Sequence, residues 1–167
     1  MTEALPLNTE PSMDRKFIAD VHLGRLAKYL RLCGFDTICG IPLTDREIIN
    51  LSKKENRIIL TRDKELLKNK HVILGYRIMS ENSVGQLGEV IKSYNLAKNF
   101  HPFTRCMECN GLLEDVEKEK IINRLMPKTR DFYDVFKNCQ GCGKIYWEGS
   151  HYEKMKKFVD SLIINNQ

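Results

Sequence analysis

Two cysteine pairs constrain this chain more than any other feature. Cys106-Met-Glu-Cys109 is followed by Asn-Gly, and Cys139-Gln-Gly-Cys142 by Gly. Cysteines three positions apart can aim both sulfurs at one ion, and the glycines that follow tolerate the tight turn beneath it. Two such knuckles supply four thiolates, the donor set of a closed, structural Zn²⁺ site. Iron–sulfur and redox chemistry compete for the same residues. A redox C-x-x-C belongs at the start of a βαβ unit, however, and neither pair sits there. The 29 residues between the pairs exceed what a minimal ribbon needs, so an inserted helix or hairpin is expected around residues 118–126. The remaining cysteines, Cys33 and Cys39, read as core or near-core residues.

The chain has 167 residues, room for one domain plus a small module. Apolar residues at 42% and charged residues at 29% exclude wholesale disorder and fibrous repeats. No run approaches the roughly 18 apolar residues of a membrane-spanning helix, so a soluble protein without a membrane partner is expected. Residues 1–15 lack the apolar core of a secretory signal and read as a disordered tail. The expected compartment is therefore the reducing cytoplasm, where structural disulfides are rare. Lys and Arg number 27 against 22 Asp and Glu, a net +5. Four zinc-bound thiolates would lower that to about +3. Polyanion binding then depends on where the basic residues cluster.

Before residue 100, short apolar runs alternate with amphipathic stretches. Lys16–Ala19 is expected as a strand, and His22–Cys33 as a helix with Leu23, Leu26, Ala27, Leu30 and Cys33 on one face. Gly34 ends that helix. Strands are expected at Phe35–Cys39, Arg57–Leu60 and within Val72–Met79, the last broken at Gly75. Helices follow from the capping boxes Thr44-Asp45-Arg46-Glu47 and Ser83-Val84-Gly85-Gln86. Such alternation predicts an α/β fold with a parallel sheet flanked by helices. Pro102 and its polar neighbours mark a boundary, giving an α/β domain over 16–99 and a ribbon module with an inserted segment and a C-terminal helix over 100–167.

In a parallel sheet, every strand-to-helix junction lies on one edge, where ligands usually bind. Asp20 ends the first expected strand, Asp63 follows the third, and Asp45 opens the helix after the second. Topology alone places the three on one edge. Clustered carboxylates suit Mg²⁺ or Mn²⁺, and such ions serve phosphodiester cleavage. The same acids are also favoured as helix caps. Arg25, Lys28 and Arg31 recur opposite the apolar stripe of the first helix, as either a phosphate-contacting ridge or a solvated face. Arg62 and Lys64 flank Asp63, for substrate contact or acid pairing. Ser150 and Glu153 form another capping box around His151. Met155, Phe158, Val159 and Leu162 share one face of the last helix, expected to pack on the rest of the fold.

These residues together resemble the Mut-seven C-terminal RNase family. The likeness runs through Phe17-Ile18-Ala19-Asp20, Leu23 to Thr37, Asp45-Arg46-Glu47-Ile48-Ile49, Ile59-Leu60-Thr61-Arg62-Asp63, the four paired cysteines and Tyr146 to His151. It spans about residues 16–160. It implies a PIN-like domain followed by a zinc ribbon, and metal-dependent RNA cleavage through Asp20, Asp45 and Asp63. Many PIN nucleases use a fourth acid, for which Glu65 and Glu81 are the nearby candidates. RNA is then the expected partner of Arg25, Lys28, Arg31, Arg62 and Lys64. Two other readings stand beside the enzyme. One is a non-catalytic RNA- or ribonucleoprotein-binding protein. The other, a protein-binding zinc ribbon, explains residues 106–142 but not the acid edge.

Overall fold

In the computed structural model, which describes residues 15–165, Lys16–Ala19 (β1), Thr37–Ile38 (β2), Arg57–Thr61 (β3) and Gly75–Arg77 (β4) form one parallel sheet in the order β2-β1-β3-β4. The tail expected at the N-terminus lies outside the described residues, apart from Arg15. Side chains alternate across the sheet. Phe17, Ala19, Ile58 and Leu60 enter one core with Leu26 and Leu30 of Gly24–Leu32 (α1) and Leu87, Val90 and Ile91 of Ser83–Tyr94 (α4). Ile18 and Ile59 enter the other with Ile49 of Asp45–Glu55 (α2) and Leu66 of Lys64–Lys68 (α3). Both faces are thus covered, which is why the central strands read as unbroken apolar runs.

The strand ends differ from expectation for local reasons. The β2 ladder is two residues long because the Phe35 amide still serves α1, donating to the Leu30 carbonyl. The β4 ladder starts only at Gly75, since the Val72 amide closes a turn onto the Asn69 carbonyl. The cap of α4 is Asn82, not Ser83. Its Oδ1 accepts the Gly85 amide at 2.8 Å, and Gln86 instead donates to the Ser80 and Glu81 carbonyls. The first helix opens as a 3₁₀ turn over Val21–Leu23 before α1. The Thr44–Glu47 capping box forms as expected. Gly34 ends α1 at φ +98°, against the His101 carbonyl, where a Cβ would collide.

Beyond residue 105, Leu113–Val116 (β5), Phe136–Cys139 (β6) and Ile145–Trp147 (β7) make an antiparallel sheet. The insert expected around residues 118–126 is Lys118–Ile121 (α5), a 3₁₀ turn over Ile122–Arg124, and Pro127–Phe132 (α6). The last helix, Ser150–Asn165 (α7), returns to the larger core. Leu162 joins the α1/α4 layer, and Phe158 meets Tyr29 with ring centroids 5.2 Å apart. Among the described residues, no helix is long and apolar enough to cross a membrane.

Candidate functional site

The four paired cysteines converge. One sulfur from each of Cys106, Cys109, Cys139 and Cys142 lies within 4.8 Å of all the others. Cys109 and Cys139 sulfurs are 3.3 Å apart, and those of Cys106 and Cys142 3.7 Å. A tetrahedron with Zn–S bonds of about 2.3 Å needs S···S of about 3.8 Å. The amides of Gly111, Gly141 and Cys142 point at the Cys109 and Cys139 sulfurs at 3.3–3.5 Å, donors that favour thiolates. The cluster fits a structural zinc ion.

The knuckles need particular backbone shapes. Asn110 takes the left-handed region at φ 71°. A Cβ on Gly111 would stand 2.9 Å from the Cys139 sulfur, so only glycine lets the two knuckles close on each other. Tyr146 lies against the site, its hydroxyl 3.0 Å from the Cys106 sulfur. Burial alone would raise the Cys106 thiol, but the Tyr146 hydroxyl and the Cys109 and Glu108 amides bring it down to about 7. Burial and the bond to Cys106 push Tyr146 up. Tyr146 therefore closes the ribbon around its four-thiol cluster, while Trp147 stays partly exposed beside Tyr133. Cys33 is buried in the core and its thiol is pushed up to about 12 by that burial. Cys39 is half-buried, with its sulfur donating to the Asp20 carbonyl at 3.4 Å.

The second candidate lies at the carboxyl ends of β1 and β3. Asp20 leaves β1 and caps the 3₁₀ turn, its Oδ1 accepting the His22 amide at 3.2 Å. Asp63 caps α3, its Oδ1 accepting the Glu65 amide at 2.7 Å. Thr61, the last residue of β3 and fully buried, ties the two together. Its hydroxyl donates to Asp20 Oδ2 at 3.1 Å and accepts the Asp63 amide at 2.9 Å. Sequence reasoning passed over Thr61. The available signal was a hydroxyl two residues before an acid at a strand end.

The other acids are placed differently. Asp45 is exposed in the first turn of α2, and Thr44 and Glu47 account for that cap. Glu65 pairs with Lys68 at 2.7 Å, and Glu81 is exposed. Glu89 of α4, absent from the expectations, accepts the Met79 and Ser80 amides at 2.9–3.3 Å and fixes the chain as it leaves β4. Burial opposes its charge, but those two amides hold its carboxyl below the ordinary range. Among the described residues, the four cysteines are the group of three or more potential ligands that gathers within 4.8 Å, and Asp20, Asp45 and Asp63 do not form another.

The basic ridge needs correction. Arg31 is 5% exposed, so it is not part of a solvent-facing row. Its Nη1 donates to the Met107 and Glu108 carbonyls, both at 2.9 Å, and its Nε to the Thr37 carbonyl at 2.9 Å. Burial lowers its pKa, and the surrounding thiols and Glu108 act in the opposite direction. Lys28 pairs with Glu108 at 2.9 Å. The polar face of α1 is largely the seat of the first knuckle; of the three basic residues, Arg25 is the exposed one. Arg62 and Lys64 are exposed beside Asp63, and neither pairs with an acid among the described residues. His151 is exposed in the first turn of α7.

The molecule is thus a parallel α/β domain with carboxylates at its strand ends, joined to a four-cysteine ribbon. The chain belongs to the family described as the Mut7-C RNAse domain, whose family model matches residues 15–159, most of its length. No curated protein and no solved structure matches it. Membership points to a nuclease-like function with RNA as substrate.

Proposed function

We propose that this protein is a divalent-metal-dependent ribonuclease that cleaves RNA phosphodiester bonds at the carboxyl edge of its parallel sheet. The observation that supports the reading is the Asp20–Thr61–Asp63 chain, in which the Thr61 hydroxyl bonds the Asp20 carboxylate and the Asp63 backbone amide and so links the two strand ends that carry these acids. Mg²⁺ commonly takes one or two carboxylates and keeps several waters, so Asp20 and Asp63 would suit it, with Asp45 a further candidate acid. Such an ion, when bound, supplies water activation and neutralises charge on the leaving oxygen.

The chain's own residues do the remaining work. The Thr61 hydroxyl holds Asp20 Oδ2, and the His22 and Glu65 amides orient Asp20 and Asp63. Arg62, Lys64 and Arg25 are exposed cations for phosphate oxygens, and such contacts position a strand without reading its sequence. The four-thiol site and the reducing cytoplasm suit each other, because a thiol kept reduced stays available to metal.

Asp63→Asn tests the reading. Asparagine caps a helix as well as aspartate does, so stability should change by less than about 1 kcal/mol. Cleavage of a labelled mixed-sequence RNA with Mg²⁺ or Mn²⁺ should fall at least about 100-fold, beyond the usual loss for an outer-shell partner of a metal site. EDTA should act alike. Equal cleavage by variant and wild type would overturn the assignment. A second reading, RNA binding without cleavage, is favoured by the failure of the three acids to gather as one close group. Tight RNA binding with no cleavage by the wild type would select it.

A further inference from the structure

The edge strand β2 is two residues long and pairs with β1 on one side only. In a strand, one residue's N–H and C=O point to the same side, and unpaired groups on an edge are a liability. On the outer side of β2 both groups of Thr37 are nevertheless satisfied. Its amide donates to Asn110 Oδ1 at 3.0 Å, and its carbonyl accepts Arg31 Nε at 2.9 Å. Thr37 is fully buried there. Two side chains thus replace the neighbouring strand.

Both partners depend on the first knuckle. Asn110 sits in its left-handed turn, with its amide donating to the Cys106 carbonyl at 2.9 Å. Its Nδ2 donates to Asp36 Oδ1 at 2.8 Å, and Asp36 in turn holds the buried Arg57 at 2.7 Å. Arg31 is anchored by the carbonyls of Met107 and Glu108, the two residues between the first cysteines. A knuckle keeps its shape only around its metal. Without that shape, Thr37 loses one backbone partner and the buried guanidinium loses two.

We propose that Asn110 and Arg31 are positioning residues that make the loaded zinc knuckle the missing neighbour of β2, so that metal occupancy and order of the sheet edge are one linked equilibrium. The linkage is reciprocal: what loosens β2 must weaken zinc by the same factor. Just after β2, the Cys39 sulfur bonds the Asp20 carbonyl, and the chain leads on to Asp45. An effect of zinc on the acid edge would follow from this link, and that consequence alone rests on the ribonuclease reading.

Amide hydrogen exchange at Thr37 in the full chain reads the proposal directly. Removing zinc with a chelator should speed it at least about tenfold, the worth of roughly one net hydrogen bond. Asn110→Gly keeps the left-handed turn available and deletes the contact. The zinc-loaded variant should exchange at Thr37 like metal-free wild type, and its zinc affinity, by chelator competition, should drop about tenfold. The two metal-free proteins should exchange alike. Arg31→Lys, outside the knuckle, keeps the charge and loses the fork, so it should also weaken zinc. It keeps the proposal testable if Asn110→Gly fails to load. Thr37 exchange indifferent to zinc, or unchanged zinc affinity in both variants, would overturn it. The readout involves no RNA. Absent nuclease activity would leave a positive result standing, and a failed linkage would leave the ribonuclease reading standing.

Discussion

Between Lys16 and Asn99 the chain buries Phe17, Ile18, Leu26, Leu30, Ile59, Leu60, Leu87 and Ile91 among many others; between Cys106 and Gly149 the buried apolar residues besides cysteine are Ile121 and Phe136. The first region has a core on each face of its sheet and is stabilised by removing apolar surface from water. The second has too little apolar surface to offset the entropy of ordering its chain, and four sulfurs around one point take the place of a core. Met126, Phe132 and Val135 stay 66–77% exposed on its insert. The difference teaches that two neighbouring modules can answer to different variables, temperature and denaturant for one, metal for the other.

The largest test of that contrast removes a ligand. Structural zinc sites contribute apparent binding energies of about 10–16 kcal/mol near neutral pH. Cys139→Ser should therefore abolish the single zinc and unfold the ribbon, while most helical circular dichroism of the α/β domain persists. Metal analysis and a thermal melt check this; a zinc-free wild type, or global collapse of the variant, would break the comparison. A smaller effect comes from the mirror experiment. Leu30 is fully buried on α1, and Leu30→Ala should cost about 3 kcal/mol in urea titration. The folded protein should still hold one zinc.

The smallest effect is in acid, at the seam between the two regions. Burial of Asp36 opposes its charge, but Arg57 and Asn110 hold its carboxyl below the ordinary value of 3.8. The unfolded chain then binds more protons than the folded one in the window that opens near 3.8 and extends below it. Stability is fully present above that window and is lost as pH falls through the folded value. The slope from this one group is at most about 1.4 kcal/mol per pH unit. Asp36→Asn should flatten this acid limb while lowering stability at neutral pH, because the buried Arg57 loses one of its two carboxylate partners and keeps only Glu55. Denaturant titration between pH 3 and 7 reads both effects, and an unchanged acid limb would remove Asp36 from the account.

Features whose cause is local were legible in the sequence. The Thr44–Glu47 capping box, the α1 stripe and the insert between the cysteine pairs all form where spacing places them. The α4 cap was misplaced by one residue because Asn82 and Ser83 are comparable caps, and only the Gly85 amide decides between them. Thr61 was missed because a hydroxyl at a strand end carries no periodic signal. Its importance arises from Asp20, 41 residues away.

By itself the sequence determined the parallel α/β alternation, the four-thiol site and the presence of acids at strand ends, since each follows from short-range spacing or from the direction every parallel strand must take. Only the tertiary structure decided what covers the polar face of α1. Periodicity distinguishes a polar face from an apolar one, but it cannot say whether water or protein lies against it. Arg31 lies on the face that helical spacing assigns to solvent, and the carbonyls of Met107 and Glu108, more than 70 residues later, turn it into the pin between sheet and ribbon. A guanidinium can serve either environment, because its donors are satisfied as well by fixed carbonyls as by water.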